Sequence, residues 1–114
     1  MTKIYGIKNC DTVRKARRWL REHGIEHDFH DLRADGLPEE RLSAWVDAVG
    51  WETLLNRRGM AWRKLPAERK ASVDGIKALE FIREEPMLIK RPVLQHDGAV
   101  QVGFSENDYA DRFK

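Results

Sequence analysis

The sequence predicts an α/β protein with a four-stranded mixed β-sheet and helices on its faces. Three observations indicate this fold class. A strand–helix–strand unit occupies residues 3–32, and a unit of this length favours parallel strands joined by a right-handed crossover. Helix-like segments follow over residues 37–84. The last third contains two short strand-like segments separated by Asp97-Gly98, a dipeptide typical of two-residue hairpins.

Length and composition indicate one globular domain, residues 1–114. The chain is 41% hydrophobic and 35% charged, and its 21 basic and 19 acidic residues leave a formal charge of +2 at pH 7. Charges this evenly balanced do not predict nucleic-acid binding. No apolar run approaches the roughly 20 residues that cross a bilayer, and no secretion signal opens the chain. A single cysteine excludes an internal disulfide, so we expect a reducing, cytoplasmic location without membrane association.

The elements of the first unit are predicted from three consecutive patterns. Residues 3–7 form a short apolar run typical of a buried strand. Residues 12–23 place apolar side chains on one face and basic side chains on the other, which predicts an amphipathic helix closed by Gly24. Residues 25–32 alternate in polarity and predict the second strand.

The middle of the chain is predicted to be helical. A helix with Pro38 in its first turn is expected to end at Gly50, and residues 51–55 predict a further short helical turn. Ser72 is expected to cap a later helix that continues to about Glu84.

The end of the chain predicts a hairpin and a helix. Residues 93–96 and 99–103 are expected to pair as antiparallel strands, and Ser105 to cap a short final helix that ends at Phe113.

The only cysteine, Cys10, lies in the predicted turn between the first strand and the first helix. The first amides of a helix lack internal partners and the helix dipole adds positive charge there, so this position favours the reactive thiolate. The polar neighbours Asn9 and Asp11 argue against a core position, and Lys8 and Arg14 add positive potential. We therefore predict a reactive cysteine.

Two considerations oppose this interpretation of Cys10. A lone cysteine is more often a small buried apolar residue, and the Asp11 carboxylate disfavours a thiolate if its charge points inward. Asp11 or Thr12 is expected to cap the helix and so to fix the turn.

Arg91-Pro92, just before a predicted strand, is the second segment of interest. The proline is either an ordinary strand-entry residue or follows a cis peptide bond. If the bond is cis and faces the first loop, Arg91 can reach the Cys10 sulfur, stabilise its thiolate and bind an oxyanion or carboxylate.

The basic stretch around Arg57 and Arg58 has two interpretations, a solvated loop or a clamp for an anionic substrate. Trp62 lies among these cations, but one short patch does not predict a nucleic-acid site. The four histidines show no metal-ligand spacing, so no metal site is expected. No phosphate loop or dinucleotide fingerprint is present.

Three segments together resemble the arsenate reductase (ArsC) family. They are Tyr-Gly-Ile-Lys-Asn-Cys-Asp-Thr with Arg-Lys-Ala at residues 5–16, Leu-Leu-Asn-Arg-Arg-Gly at 54–59 and Met-Leu-Ile-Lys-Arg-Pro-Val at 87–93. The resemblance is nearest to the YffB branch, next to the Spx-type regulators, and covers nearly the whole chain. It implies a thioredoxin-like fold, with a core of about residues 1–34 and 86–114 and an inserted helical subdomain at about 35–85.

The resemblance also implies roles for individual residues. Cys10 would be the redox nucleophile, Pro92 the cis-proline that faces it and Arg91 the cation beside the sulfur. The residues expected to contact substrate are Lys8, Asn9, Thr12, Arg14, Arg57 and Pro92.

The departures from the family pattern bear on function. Glutaredoxin-coupled arsenate reductases use two further arginines on the oxyanion. At the first of these positions this chain has Asn56, with Arg57 one place later, and near the second it has Val-Gly-Phe at residues 102–104. Spx-type regulators usually carry a Cys-x-x-Cys switch, and Val13 stands where its second cysteine would be.

The sequence therefore predicts a cytoplasmic monothiol reductase, with Cys10 as nucleophile and no bound cofactor. An external thiol would resolve the adduct, since no second cysteine is present. That thiol is expected to be glutathione, as a co-substrate, or a glutaredoxin-type donor. The alternatives are a non-catalytic Spx-like adaptor that binds RNA polymerase or another protein, and a glutaredoxin-coupled arsenate reductase. We expect a monomer with no nucleic-acid partner.

Overall fold

The computed structural model describes residues 1–114 and has the expected mixed sheet of four strands, in the order β2-β1-β3-β4. The strands are β1 (Thr2–Gly6), β2 (Asp28–Asp31), β3 (Val93–His96) and β4 (Ala99–Val102). β1 and β2 are parallel, whereas β1–β3 and β3–β4 are antiparallel. The opening strand–helix–strand unit and the closing hairpin are therefore confirmed, although β2 begins three residues later than predicted.

Seven α-helices and one 3₁₀ turn, Pro86–Leu88, accompany the sheet. The helices are α1 (Asp11–Glu22), α2 (Glu39–Val49), α3 (Trp51–Leu54), α4 (Met60–Arg63), α5 (Ala67–Ala71), α6 (Gly75–Glu84) and α7 (Glu106–Arg112). No helix is both long and apolar enough to cross a bilayer.

The apolar side chains divide into two clusters, one on each face of the sheet. Ile4 and Leu94 belong to the cluster under α1 and α7, whereas Tyr5 and Val93 belong to the cluster under α2, α3 and α6. Because successive strand residues point to opposite faces, these neighbours separate the two layers. Trp45 anchors the second layer: it is fully buried, and its ring lies 4.8 Å from that of Tyr5.

The close approach of α1 to β1 fixes the start of the helix. A Cβ at Gly6 would lie only 2.6 Å from Cγ2 of Val13, so a larger residue there would displace the helix. Val13, Ala16, Trp19 and Leu20 are the buried side chains of α1, as its apolar periodicity predicts. This packing places the connection between Gly6 and α1 at the carboxyl end of β1.

The predicted starts of three helices, α7, α6 and α2, agree with the structure in one case and differ in two. Ser105 caps α7 by accepting a hydrogen bond from the Asp108 amide at 3.0 Å, as expected. The prediction that Ser72 caps α6 is wrong: Asp74 does so, by accepting from the Lys77 amide at 2.8 Å. Pro38 also differs, because it precedes α2 instead of lying within its first turn.

The hairpin turn between β3 and β4 matches its sequence signal. Asp97 and Gly98 both have positive φ, 47° and 86°, the conformation that two-residue hairpin turns require.

Candidate active site

Cys10 is the residue immediately before α1 and is half-buried. Its carbonyl accepts a hydrogen bond from the Arg14 amide at 3.0 Å. The prediction that Asp11 or Thr12 caps the helix is wrong, because both lie within α1 and Cys10 occupies the cap position. No side chain caps α1, so the Cys10 sulfur accepts no hydrogen bond from the first helix amides in this structure.

A cavity of about 370 Å³ lies against Cys10. It is lined by Cys10, Thr12, Asn56, Lys90, Arg91, Val102, Gly103, Phe104 and Asp108. The structure thus brings together three of the predicted site residues, namely Cys10, Thr12 and Arg91. The other five do not line the cavity: Lys8, Asn9, Arg14, Arg57 and Pro92.

Arg91 shares the cavity with Cys10 but makes its hydrogen bonds elsewhere. Its Nη1 donates to the carbonyl of Met87 at 2.9 Å and to that of Ile89 at 3.4 Å, and its Nε is buried without a partner. The Arg91–Pro92 peptide bond is cis, the alternative that the resemblance favoured. Pro92 is buried, and its carbonyl accepts from the Gly103 amide at 2.9 Å, which ties this turn to the end of β4.

A short antiparallel bridge between Leu55 and Ile89 joins the other two cavity segments. The Asn56 amide donates to the Leu88 carbonyl at 2.7 Å, and the Lys90 amide donates to the Leu54 carbonyl at 2.8 Å. The bridge therefore sets Asn56 and Lys90 side by side on the cavity wall.

Lys90 is a site residue that the sequence interpretation missed. A Cβ at Gly103, whose φ is +79°, would lie 3.2 Å from the Lys90 Cε and 3.7 Å from its Nζ. The glycine thus leaves room for the lysine side chain, and its positive φ also disfavours other residues. The sequence signal that could have indicated Lys90 was its position next to Arg91. Its place on the cavity wall depends on the bridge between Leu55 and Ile89, which is not visible in the local sequence.

Arg57, predicted as part of an anion clamp, lies over two indole rings instead. Its guanidinium carbon is 5.3 Å from the ring centre of Trp51 and 5.8 Å from that of Trp62. Asn56 precedes it on the cavity wall, where its Oδ1 accepts a hydrogen bond from the Arg58 amide at 3.1 Å. This local turn explains why Asn56, and not Arg57, lines the cavity.

Arg14 holds the loop before Cys10 in place. Its Nη1 donates to the Lys8 carbonyl at 3.2 Å and to Oδ1 of Asn9 at 3.4 Å, and its Nη2 pairs with the Asp11 carboxylate. The Asp11 charge is therefore directed to Arg14. Lys8, Asn9 and Arg14 shape the loop in this structure instead of lining the cavity.

Asp31, at the end of β2, lies near this loop and holds the turn that follows its own strand: its Oδ1 accepts from the Arg33 amide at 2.8 Å and from the Ala34 amide at 3.0 Å. Hydrogen bonds from the backbone amides of Ala34, Arg33 and Lys8, followed by the Lys8 charge, hold the pKa of this buried carboxyl below its usual value, although burial opposes the shift. Asp31 was not predicted as a site residue, since one carboxylate in an alternating strand carries no distinctive signal.

Comparisons with known proteins identify the family. Residues 5–112 match the model of the ArsC family. The chain belongs to the ArsC family.

Close relatives confirm the more specific resemblance. This ArsC-family protein is 46% identical over 113 residues to an uncharacterised protein of Haemophilus influenzae, and the alignment covers 99% of each chain. It is 30% identical to the global transcriptional regulator Spx of Enterococcus faecalis, over 95% of this chain and 83% of that regulator. The solved structure of a YffB protein superposes with a TM-score of 0.92, at 47% identity and 97% coverage of each chain. The thioredoxin-like fold and the kinship with YffB and Spx proteins are thereby confirmed.

The ArsC-family site shows no metal centre. No group of three or more His, Cys, Asp and Glu side chains in the chain is arranged to hold a metal ion. The chemistry available at the cavity is that of one thiol, two cations and one carboxylate, on Cys10, Lys90, Arg91 and Asp108.

Proposed function

We propose that this ArsC-family protein is a monothiol reductase whose Cys10 forms a mixed disulfide that glutathione resolves. The observation that carries the proposal is the composition of one cavity wall. The only cysteine of the chain is half-buried there, and Lys90 and Arg91 line the same cavity, where their charges attract an anionic thiol.

The reaction is a pair of thiol–disulfide exchanges. The Cys10 thiolate attacks the glutathione sulfur of a substrate–glutathione disulfide, the substrate sulfur leaves as a thiolate, and that thiolate takes a proton from water. A second glutathione, as thiolate, attacks the glutathione sulfur bound to Cys10. Oxidised glutathione leaves and the Cys10 thiolate is regenerated, so glutathione is the net reductant.

The resolving thiol comes from outside the chain. Val13, at the position of the second cysteine in a Cys-x-x-Cys pair, is 1% exposed and packs against Gly6. No other cysteine exists in the sequence. The adduct on Cys10 therefore persists until another molecule attacks it.

The charges of the cavity match those of glutathione. Glutathione has two carboxylates and one ammonium group, and the cavity offers Lys90 and Arg91 as cations and Asp108 as a carboxylate. Pairing of opposite charges in a partly enclosed site favours binding and orients the thiol.

Mass spectrometry tests the proposal directly. Treatment with oxidised glutathione is expected to add one glutathionyl group to the wild type and none to Cys10→Ser, and reduced glutathione is expected to remove it. Wild-type protein should also reduce a small glutathione mixed disulfide catalytically. A Cys10 that stays unmodified, or an adduct that reduced glutathione does not resolve, would contradict the proposal.

A second candidate function is a non-catalytic adaptor that binds RNA polymerase. The specific observation in its favour is the 30% identity to an Spx regulator over 95% of this chain. Binding of purified RNA polymerase by the wild type and equally by Cys10→Ala, without disulfide exchange by the wild type, would support the adaptor. Loss of exchange in Cys10→Ala with no polymerase binding by either protein would support the reductase.

A further inference from the structure

A second cavity, larger than the one at Cys10, lies at the opposite end of β1. It has a volume of about 950 Å³ and lies between the second half of α1, the connection that follows it and the start of β2. Thr2, the first residue of β1, lines this cavity, whereas Cys10 follows Gly6, the last residue of that strand. The length of β1, ~15 Å, therefore separates the two cavities. The two cavities share no lining residue.

Two arginines one helical turn apart face this cavity without a carboxylate partner. Arg17 and Arg21 both line it, and neither takes part in any ion pair of the chain. The Arg17 guanidinium lies 4.3 Å from the ring centre of Phe29, which holds its plane in place. Burial, and then the nearby charge of Arg21, lowers the pKa of Arg17 from its usual value.

Two buried polar atoms of the cavity residues also lack partners. Only four side-chain nitrogen or oxygen atoms in the chain are buried without a hydrogen bond, and two of them are the Nε of Arg17 and the Nε2 of His27. The other ring nitrogen of His27 lies 3.2 Å from the Ile25 carbonyl. Because a carbonyl only accepts, Nδ1 of His27 is the donor to Ile25, and Nε2 of the neutral ring is an acceptor. The Nε of Arg17 is a buried donor left unsatisfied, which is costly and indicates a place for an acceptor beside it.

We propose that this cavity binds a small metabolite through an oxyanion group, a phosphate or a carboxylate, held by Arg17 and Arg21. Guanidinium groups bind such oxyanions through paired charge-assisted hydrogen bonds, and the stacked Arg17 is already oriented. Glu26 and Asp28 line the same cavity and would repel further anionic groups. The ligand therefore carries hydrogen-bond donors, and no second anion, beyond its oxyanion. This site is independent of the reaction proposed for Cys10.

NMR titration of the full chain with inorganic phosphate, and separately with acetate, tests the proposal at constant ionic strength. We expect saturable shifts at the Arg17 Nε–H and at the amides of Gly24 and His27, with a dissociation constant of about 1 mM. Saturation by phosphate alone would identify a phosphate ligand, and saturation by acetate a carboxylate. Shifts that do not saturate with either anion would overturn the proposal.

A matched pair of variants distinguishes direct binding by the cavity residues from attraction of the anion by the overall positive charge of α1. Arg21→Gln should weaken binding about tenfold, because it removes one charge-assisted contact. Arg18→Gln removes the same charge from an exposed position of the same helix that does not line the cavity, and it should leave the affinity unchanged. Equal weakening by both variants would overturn the proposal. Alkylation of Cys10 before the titration should not change the affinity, which keeps this result distinct from the proposed reductase activity.

Discussion

Lys90 and Arg91 are adjacent in sequence but differ in what their charges contact. The Arg91 Nη1 donates to the Met87 and Ile89 carbonyls, which holds the guanidinium in one place while its charge still acts on the cavity. The Lys90 side chain is exposed and extends over Gly103. Lys90 is therefore the cation that is free to bind a carboxylate of an incoming thiol.

Lys90→Ala should slow formation of the Cys10–glutathione adduct about tenfold, since one charge-assisted contact of ~1.4 kcal/mol is lost. The measurement is the rate of adduct formation followed by mass spectrometry. Lys64→Ala is the control, because Lys64 is an exposed cation that does not line the cavity. Equal slowing in both variants would show that only the overall charge matters.

Tyr109 carries a polar group that the core does not use. The residue is fully buried among Trp19, Phe104 and Phe113, its hydroxyl has no hydrogen-bond partner, and burial raises the pKa of the phenol above its usual value. Tyr109→Phe should therefore raise the free energy of unfolding by about 1 kcal/mol, measured by urea denaturation. A less stable Tyr109→Phe would mean that the hydroxyl is hydrogen-bonded in solution.

The elements that could be predicted from the sequence are those that local interactions determine. The periodicity of α1, the Asp97-Gly98 turn and the Ser105 cap involve neighbours in sequence, and all three are confirmed. The start of α6 depends on a distant contact: a Cβ at Gly75 would lie 3.3 Å from the Trp51 ring, so α3 sets where α6 begins. Ser72 and Asp74 are equally good capping residues, and their local sequence could not decide between them.

The residues of the candidate site likewise include some that local sequence predicts and others that depend on contacts distant in sequence. The position of Cys10 before α1 follows from the local strand–turn–helix pattern. The inclusion of Lys90 follows from the bridge between Leu55 and Ile89, a contact across 34 residues that no local pattern reveals. The boundaries of α4 were not predicted, because its four residues complete barely one turn within a stretch that is dense in cations.

The turn that follows β2 depends on the carboxylate of Asp31, whose Oδ1 accepts from the Arg33 and Ala34 amides at 2.8 and 3.0 Å. Because folding lowers the pKa of Asp31 below its usual value, the contribution of this carboxylate to stability is complete above the usual pKa and is lost as pH falls through the folded pKa. Asp31→Asn should therefore destabilise the protein at neutral pH and much less at about pH 2. Urea denaturation at both pH values measures this.

Asp47→Asn is a suitable control for Asp31, because Asp47 is an exposed residue of α2 whose side chain takes part in no ion pair. This substitution should change stability little at either pH. If Asp31→Asn lost the same stability at both pH values, its effect would come from packing and not from the charge.

At the scale of the whole molecule, the sheet separates two apolar layers and β1 separates two cavities. The carboxyl end of β1 leads to Cys10, while its amino end adjoins the cavity between α1 and β2. Both cavities carry arginine nitrogens that are buried without partners, on Arg17 and Arg91. Because the two cavities share no lining residue, a substitution in one cavity can be tested without changing the lining of the other.

The balance of charge at the Cys10 end also predicts how the protein treats arsenate. An arsenate dianion in this cavity meets two cations, Lys90 and Arg91, but also the Asp108 carboxylate, and Asn56 stands where arsenate reductases are expected to have an arginine. We expect glutaredoxin-coupled arsenate turnover to be far slower than reduction of a glutathione mixed disulfide by the same preparation. Asn56→Arg adds a cation to the cavity wall and should raise arsenate turnover about tenfold, whereas Asn56→Gln should not. Rapid arsenate turnover by the wild type would mean that Lys90 and Arg91 suffice to hold the dianion, and the function proposed for this cavity would then be arsenate reduction.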